Sequence, residues 1–203
     1  MIRRLLLTLT LMLPILAVGA PALADGPPAV TASDHVMGRA DAPVTVIEYG
    51  SLVCPHCATW EMGTMPAFKA RFIDTGRVRF VFRDMLTPPA DVAATAAAIA
   101  HCSAPDRYFE VIHTFYLWQA TAQNYGPMSE WYDRAIAASG RSAADVQTCV
   151  ENPATLARIR NSVETGRAAG VQGTPSFFVN GRKVEDISLE GLAAAIDAAP
   201  TRR

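Results

Sequence analysis

Two cysteines separated by two residues, in the run Ser51-Leu-Val-Cys-Pro-His-Cys57, are the strongest chemical signal in this 203-residue chain. Cys54 and Cys57 can close a small disulfide ring or hold a metal. A structural zinc site takes about four ligands. The other two cysteines, Cys102 and Cys149, form no second pair at this spacing, and His35, His101 and His113 lie scattered. The pattern therefore favours redox chemistry between Cys54 and Cys57, with no metal and no cofactor beyond the disulfide itself. A purely structural bridge between the two is the bland alternative.

Their setting sharpens the reading. Pro43-Val-Thr-Val-Ile-Glu-Tyr49 is apolar on both faces, as a buried strand is, and a helical stretch follows the cysteines. The pair thus sits where a strand turns into a helix. Unpaired N–H groups and the positive end of the macrodipole favour an anion at a helix N-terminus. A thiolate at Cys54 is stabilised there, which makes it the exposed nucleophile. Cys57, one turn in, is the buried partner that resolves a mixed disulfide. His56 adds a donor or partial positive charge to the same thiolate. A stabilised thiolate leaves easily, so such a disulfide is an oxidant.

The rest of the chain must position this pair. Met1-Ile-Arg-Arg4 is basic, Leu5 to Val18 is almost wholly apolar, and Ala22-Leu-Ala24 is a small-x-small site. About 14 apolar residues interrupted by Pro14 fall short of the roughly 20 that span a bilayer. Residues 1–24 read as a cleaved signal peptide, with an uncleaved anchor as the alternative, and residues 25–39 as a loose polar leader. No later segment has the length and apolarity of a membrane span. Lys and Arg total 18 against 19 Asp and Glu, with no basic run for nucleic acid to hold.

Residues 40–86 read as strand, helix and strand, hence a parallel pair. Trp60, Met65, Phe68 and Phe72 give the helix its apolar stripe, Pro66 interrupts it, and Asp74-Thr-Gly76 ends it. Arg77 to Arg83 then alternates, with Val78, Phe80 and Phe82 on one face. Residues 87–169 are Ala-rich and read as four or five helices. Thr87-Pro88 and Asn152-Pro153 look like N-cap and first-turn proline pairs, and Ser139-Gly140 like a stop. In residues 170–203, Ser176-Phe-Phe-Val179, the turn Asn180-Gly181 and Arg182-Lys-Val184 spell a hairpin, followed by an amphipathic helix from Ser188. The fold class is α/β: one mixed sheet flanked by helices, with residues 87–169 as an inserted helical domain.

Thr174-Pro175 stands just before a strand in which proline would break pairing. A cis peptide there would turn the chain sharply, an ordinary loop proline being the alternative. Strand, Cys-Pro-His-Cys, helix, strand, helical insertion, Thr-Pro, hairpin and helix together resemble the DsbA-type branch of the thioredoxin superfamily, over roughly Ala40 to Ala198. The run Gly-Thr-Pro-Ser-Phe-Phe-Val-Asn-Gly181 resembles that branch's cis-proline loop and hairpin.

The resemblance implies a thioredoxin fold and a protein dithiol:disulfide oxidoreductase. It makes Cys54 the attacking and Cys57 the resolving cysteine, with Pro55 and His56 tuning them. Pro175 packs against the disulfide, and Thr174 offers its backbone to a bound peptide. Glu48 takes the place of a buried acid that moves protons at the resolving cysteine. The expected setting is the periplasm, with unfolded or reduced exported proteins as substrates, a monomeric state, and a DsbB-type membrane quinone reductase as the recycling partner. Met85 and Leu86 are candidate apolar groups for holding peptide. Thr174 is a departure, since oxidases of this kind often carry an aliphatic residue before the proline and isomerases a threonine. An isomerase, a dedicated reductase, and a peptide-binding holdase with a structural disulfide are the competing readings.

Cys102 ends an apolar stripe with Val92, Ala96 and Ile99, and Cys149 lies with Val146 and Val150 on a short helix begun by Ser142. Two buried free thiols are the plain reading. In an oxidising compartment a Cys102–Cys149 bridge is favoured, because closing a loop of about 50 residues stabilises by roughly 4 kcal/mol.

Overall fold

A computed structural model describes residues 26–124 and 126–200, so the signal-peptide reading of residues 1–24 lies outside the described residues. Every residue of β2 (Val44–Gly50) is buried, as expected of a strand with helices on both faces. It runs parallel to β3 (Val78–Asp84) with Glu48 opposite Phe82, and antiparallel to β4 (Ser176–Val179) with Glu48 opposite Phe177. β5 (Arg182–Val184) closes the hairpin across Asn180 and Gly181, both at positive φ. The sheet order is β1-β3-β2-β4-β5, which puts the strand that leads to the cysteines at the centre.

Between β2 and β3 lie α1 (Pro55–Gly63) and α2 (Met65–Phe68), and α2 runs on into a π-helical turn, Lys69–Ile73. Pro66 falls in the first turn of α2, where its missing N–H costs nothing, so the expected interruption becomes a new helix start. Five helices follow: α3 (Ala90–His101), α4 (Tyr108–Asn124), α5 (Met128–Ala138), α6 (Ala143–Val150) and α7 (Pro153–Ala168). Ser142 and Asn152 cap α6 and α7 through their side chains. Thr87 does not cap α3. The helix begins at Ala90 after a cis Pro88–Pro89 peptide, and the Thr87 hydroxyl donates instead to Ser51 Oγ at 2.9 Å. The last helix, α8 (Leu189–Ala198), is capped by Ser188.

One face of the sheet carries Val44, Val46, Phe80, Phe82 and Phe177 into a large core with Trp60, Phe68, Phe115 and Leu192. The other carries Ile47, Tyr49, Val81 and Phe178 into a smaller one with Val171. The expected loose leader is tied down instead. β1 (Val36–Met37) pairs with β3, and Arg83 reaches from β3 to Asp34 at 2.9 Å and to the carbonyl of Pro28 at 2.9 Å. Composition marked this stretch as polar and Gly/Pro-rich. The acceptors demanded by a buried guanidinium on a distant strand leave no local trace.

Candidate active site

β2 ends at Gly50, a position where nothing larger fits. A Cβ there would lie 2.4 Å from the Phe82 ring and 2.9 Å from Glu48 Oε1. The chain then turns, with the Cys54 N–H donating to Ser51 O at 2.9 Å, and enters α1 with Cys54 as its extended N-cap and Pro55 in the first turn. This junction buries both cysteines, leaving only the edge of the first accessible where an exposed nucleophile was expected. Cys54 is 7% exposed and Cys57 fully buried, and both are free thiols. Pro55 and His56 are exposed, and what reaches Cys54 from His56 is its backbone N–H. The Thr174–Pro175 peptide is cis, and the Cys54 thiol donates to Thr174 O at 3.3 Å.

The two thiols have opposite acidities. A hydrogen bond from the Cys57 thiol lowers Cys54 to about 5 against the penalty of burial, helped by Thr174 and by the backbone N–H groups of Cys57 and His56. Once Cys54 ionises it can no longer donate to the Thr174 carbonyl. The Thr174 hydroxyl, buried and otherwise without a partner, is then the group placed to donate to the sulfur. Burial holds Cys57 well above the ordinary thiol range, reinforced by the bond it gives to Cys54 and by Glu48. Glu48 is 2% exposed on the same sheet face as Val46. Burial pushes its carboxyl well up, and the charges of Glu61 and Cys54 add to the effect. A carboxylic acid that keeps its proton beside a thiol that needs one can pass it across.

Side chains outside the sequence-derived set complete the surroundings, and most stand on α4. Tyr116 Oη donates to Ser51 O at 3.3 Å, and Gln119 Nε2 to Leu52 O at 2.7 Å and Cys54 O at 3.2 Å. Gln123 Nε2 donates to Val53 O at 3.0 Å. Glu61, one turn beyond Cys57, meets His113 Nδ1 of α4 at 3.2 Å. One signal was available: Gln119 sits on the helix face otherwise filled by Ile112, Phe115 and Tyr116. A polar residue on an apolar stripe needs a partner.

Cys102 and Cys149 are joined in a disulfide between the end of α3 and α6. Met85 and Leu86 are both partly buried: Met85 packs against the smaller core, and Leu86 against the helical one. The apolar cleft beside the cysteines is built by other residues. Val53, Pro55, Pro89, Val92, Met128 and Trp131 line a cavity of about 400 Å³. Among the described residues, no group of three or more His, Cys, Asp or Glu could hold a metal ion, and no helix is long and apolar enough to cross a membrane.

A dicysteine at the start of the helix that follows a central strand, faced by a cis-proline loop, defines a thioredoxin-type redox site. Residues 30–198 match the thioredoxin family, and the chain belongs to it, with five helices inserted between β3 and β4. A Rickettsia bellii protein provisionally named a protein-disulfide oxidoreductase is 31% identical over 172 residues, 82% of this chain and 64% of that protein. The chain thus spans a little under two thirds of the length of that relative. Among solved structures, the oxidised form of BdbD from Bacillus subtilis superposes with a TM-score of 0.76 at 21% identity, covering 86% of this chain and 96% of that one. Wolbachia pipientis alpha-DsbA1 gives a TM-score of 0.72 at 24% identity, covering 83% and 91%. At these identities the structural likeness speaks for the fold.

Proposed function

We propose that this chain is a periplasmic protein dithiol:disulfide oxidoreductase that introduces disulfide bonds into exported proteins. The observation that carries the reading is the asymmetry of the pair: a thiolate stabilised at Cys54 beside a thiol held protonated at Cys57. In the oxidised protein, a substrate thiolate attacks Cys54 Sγ, the more exposed sulfur. The Cys54–Cys57 bond breaks, and Cys57 leaves with the electron pair and takes up a proton, for which the buried, protonated Glu48 is the proposed donor. A second substrate thiolate then attacks the substrate sulfur of the mixed disulfide. Cys54 departs as a stabilised thiolate, and two electrons have passed from the substrate to the pair. A low-pKa leaving group drives this direction.

The cleft at Val53 and Trp131 supplies apolar contact for unfolded chain. The signal-peptide pattern of residues 1–24 supports the periplasmic setting, and the protein is proposed to act as a monomer. The reduced pair must be reoxidised, and a DsbB-type membrane quinone reductase suits that step. Thr174 favours a second reading, a disulfide isomerase, and a solved structure entitled protein-disulfide isomerase from Novosphingobium aromaticivorans shares the fold at a TM-score of 0.67.

Equilibration of the pair in graded glutathione buffers, read by thiol trapping, tests the proposal. A potential well above about −270 mV, the thioredoxin value, is expected. A potential at or below that value makes the protein a reductase and ends the oxidase reading. Given an oxidising pair, faster repair of a scrambled substrate than oxidation of a reduced one would select the isomerase.

A further inference from the structure

The loop that carries Cys54 presents four successive carbonyls, and α4 supplies a donor to every one. Ser51 O accepts from Tyr116 and from the Cys54 N–H, and Cys54 O from Gln119 and the Ala58 N–H. Leu52 O and Val53 O are bonded by Gln119 and Gln123. Tyr116, Gln119 and Gln123 recur at i, i+3 and i+7, so they share one face of the helix. Gln123 is exposed at the rim, whereas Gln119 is 2% exposed and lies between Cys54 and the apolar core. A buried amide with no bonding task would be costly on that face. Of these three side chains Gln119 is the one that grips two carbonyls, those of Leu52 and of the nucleophile Cys54 itself.

Those carbonyls matter to the sulfur. Carbonyl dipoles left free near Sγ oppose a negative charge there, whereas the first N–H groups of α1 favour it. We infer that Gln119 is a positioning residue for the Cys54 thiolate: it ties up the carbonyl oxygens of Leu52 and Cys54 and holds the first turn of α1 so that the N–H groups of His56 and Cys57 face the sulfur. The inference rests on the reading of Cys54 as the attacking thiolate. It assigns the helical insertion a part in the chemistry as well as in the shape of the molecule.

The test is the pH dependence of Cys54 alkylation by iodoacetamide in the reduced full chain, for the unmodified protein, Gln119→Met and Gln119→Ser. Methionine keeps the length and removes the donors. Serine leaves room for water and guards against a variant that does not fold. At pH 5 to 6 the rate is expected to fall about three- to tenfold, the effect of losing one or two hydrogen bonds. At pH 9.5, where the thiol is ionised in every variant, the rates should agree. The glutathione equilibrium should move by a similar factor toward the disulfide, because the reduced form has lost support. A merely structural glutamine would lower the melting temperature and leave both readouts in place. Folded variants whose alkylation profiles overlie the unmodified one within about twofold would overturn the inference. An unmodified protein that titrates like an ordinary thiol, near about 8.5, would remove the thiolate reading beneath it.

Discussion

Cys54 and Cys57 are three residues apart, yet one is driven toward the thiolate and the other toward the thiol. The difference comes from depth. Cys54 is the N-cap, with helix N–H groups and the Cys57 thiol pointing at it, while Cys57 lies inside the first turn against Glu48. Alkylation of Cys54 should therefore show a midpoint near about 5. A midpoint above 8 would contradict the arrangement. Because folding lowers this pKa, the unfolded chain binds more protons between that midpoint and the ordinary thiol range. Stability of the reduced form should rise with pH across that window, and the oxidised form should lack the rise. Glu48 has the opposite sign. Its raised pKa means the folded protein keeps a proton the unfolded chain has lost, so its contribution falls as pH climbs above 4.5. Glu48→Leu is expected to stabilise the fold by on the order of 1–3 kcal/mol at pH 8 and by much less at pH 4. The same change should slow release of a mixed disulfide. Equal denaturant midpoints at pH 8 for the two proteins would show that Glu48 is not a buried acid.

Helices of the insertion act on the site through side chains that cross to the sheet domain. α4 reaches the loop from Ser51 to Cys54, and its His113 meets Glu61 on α1. The hydrogen bond that His113 donates to the Glu61 carboxylate raises the imidazole's pKa, so the contact is strongest when the imidazole is charged. The Cys102–Cys149 disulfide is a separate device. It spans 47 positions and ties the end of α3 to α6. Replacing both cysteines by alanine should cost about 2–4 kcal/mol in denaturant unfolding, the loss of loop closure in the unfolded chain. The glutathione equilibrium of the Cys54–Cys57 pair should stay within about twofold, since no leaving-group contact is lost. A larger shift would mean that the insertion transmits strain to the site.

Across the whole molecule, acid attacks the strap that seals the sheet edge. His35 stacks on Tyr108 at 3.7 Å, and burial lowers it to about 4, with His101 and Arg158 adding repulsion and Asp84 and Asp34 opposing it. Its folded pKa lies below 6.5, so the unfolded chain takes the proton first and stability is lost as pH falls from 6.5 toward 4. Asp34 adds to the loss at lower pH. Burial alone would raise its carboxyl, but the Arg83 and Thr31 bonds hold it below the usual range. Guanidinium unfolding should weaken by about 1–2 kcal/mol over that window after allowance for partial exposure, and His35→Phe should flatten the curve. A curve of the same slope in the variant would place the acid-sensitive group elsewhere.

Much of this architecture is written locally. The buried strand, the Cys-x-x-Cys at its exit, the Asn-Gly hairpin and the caps at Ser142, Asn152 and Ser188 each depend on a few neighbouring residues, and hydrophobic period and capping chemistry are properties of short windows. The apolar stripe of Trp60, Met65, Phe68 and Phe72 followed from the same rule, although it runs over α1, α2 and the π-helical turn, whereas β3 is buried on both faces and not on one. What local windows do not contain is the partner of a buried polar group. Tyr116, Gln119 and Gln123 meet carbonyls 65 to 70 positions away, and Arg83 meets Asp34 across 49. Thr87 looked like a helix cap and is a partner of Ser51, the helix starting three residues later at Ala90. The amino-acid sequence by itself determined which two cysteines stand together at the exit of the central strand and that one of them begins a helix. Only the tertiary structure decided how that helix start is held, because a desolvated carbonyl or guanidinium takes whichever partner packing brings within 3 Å.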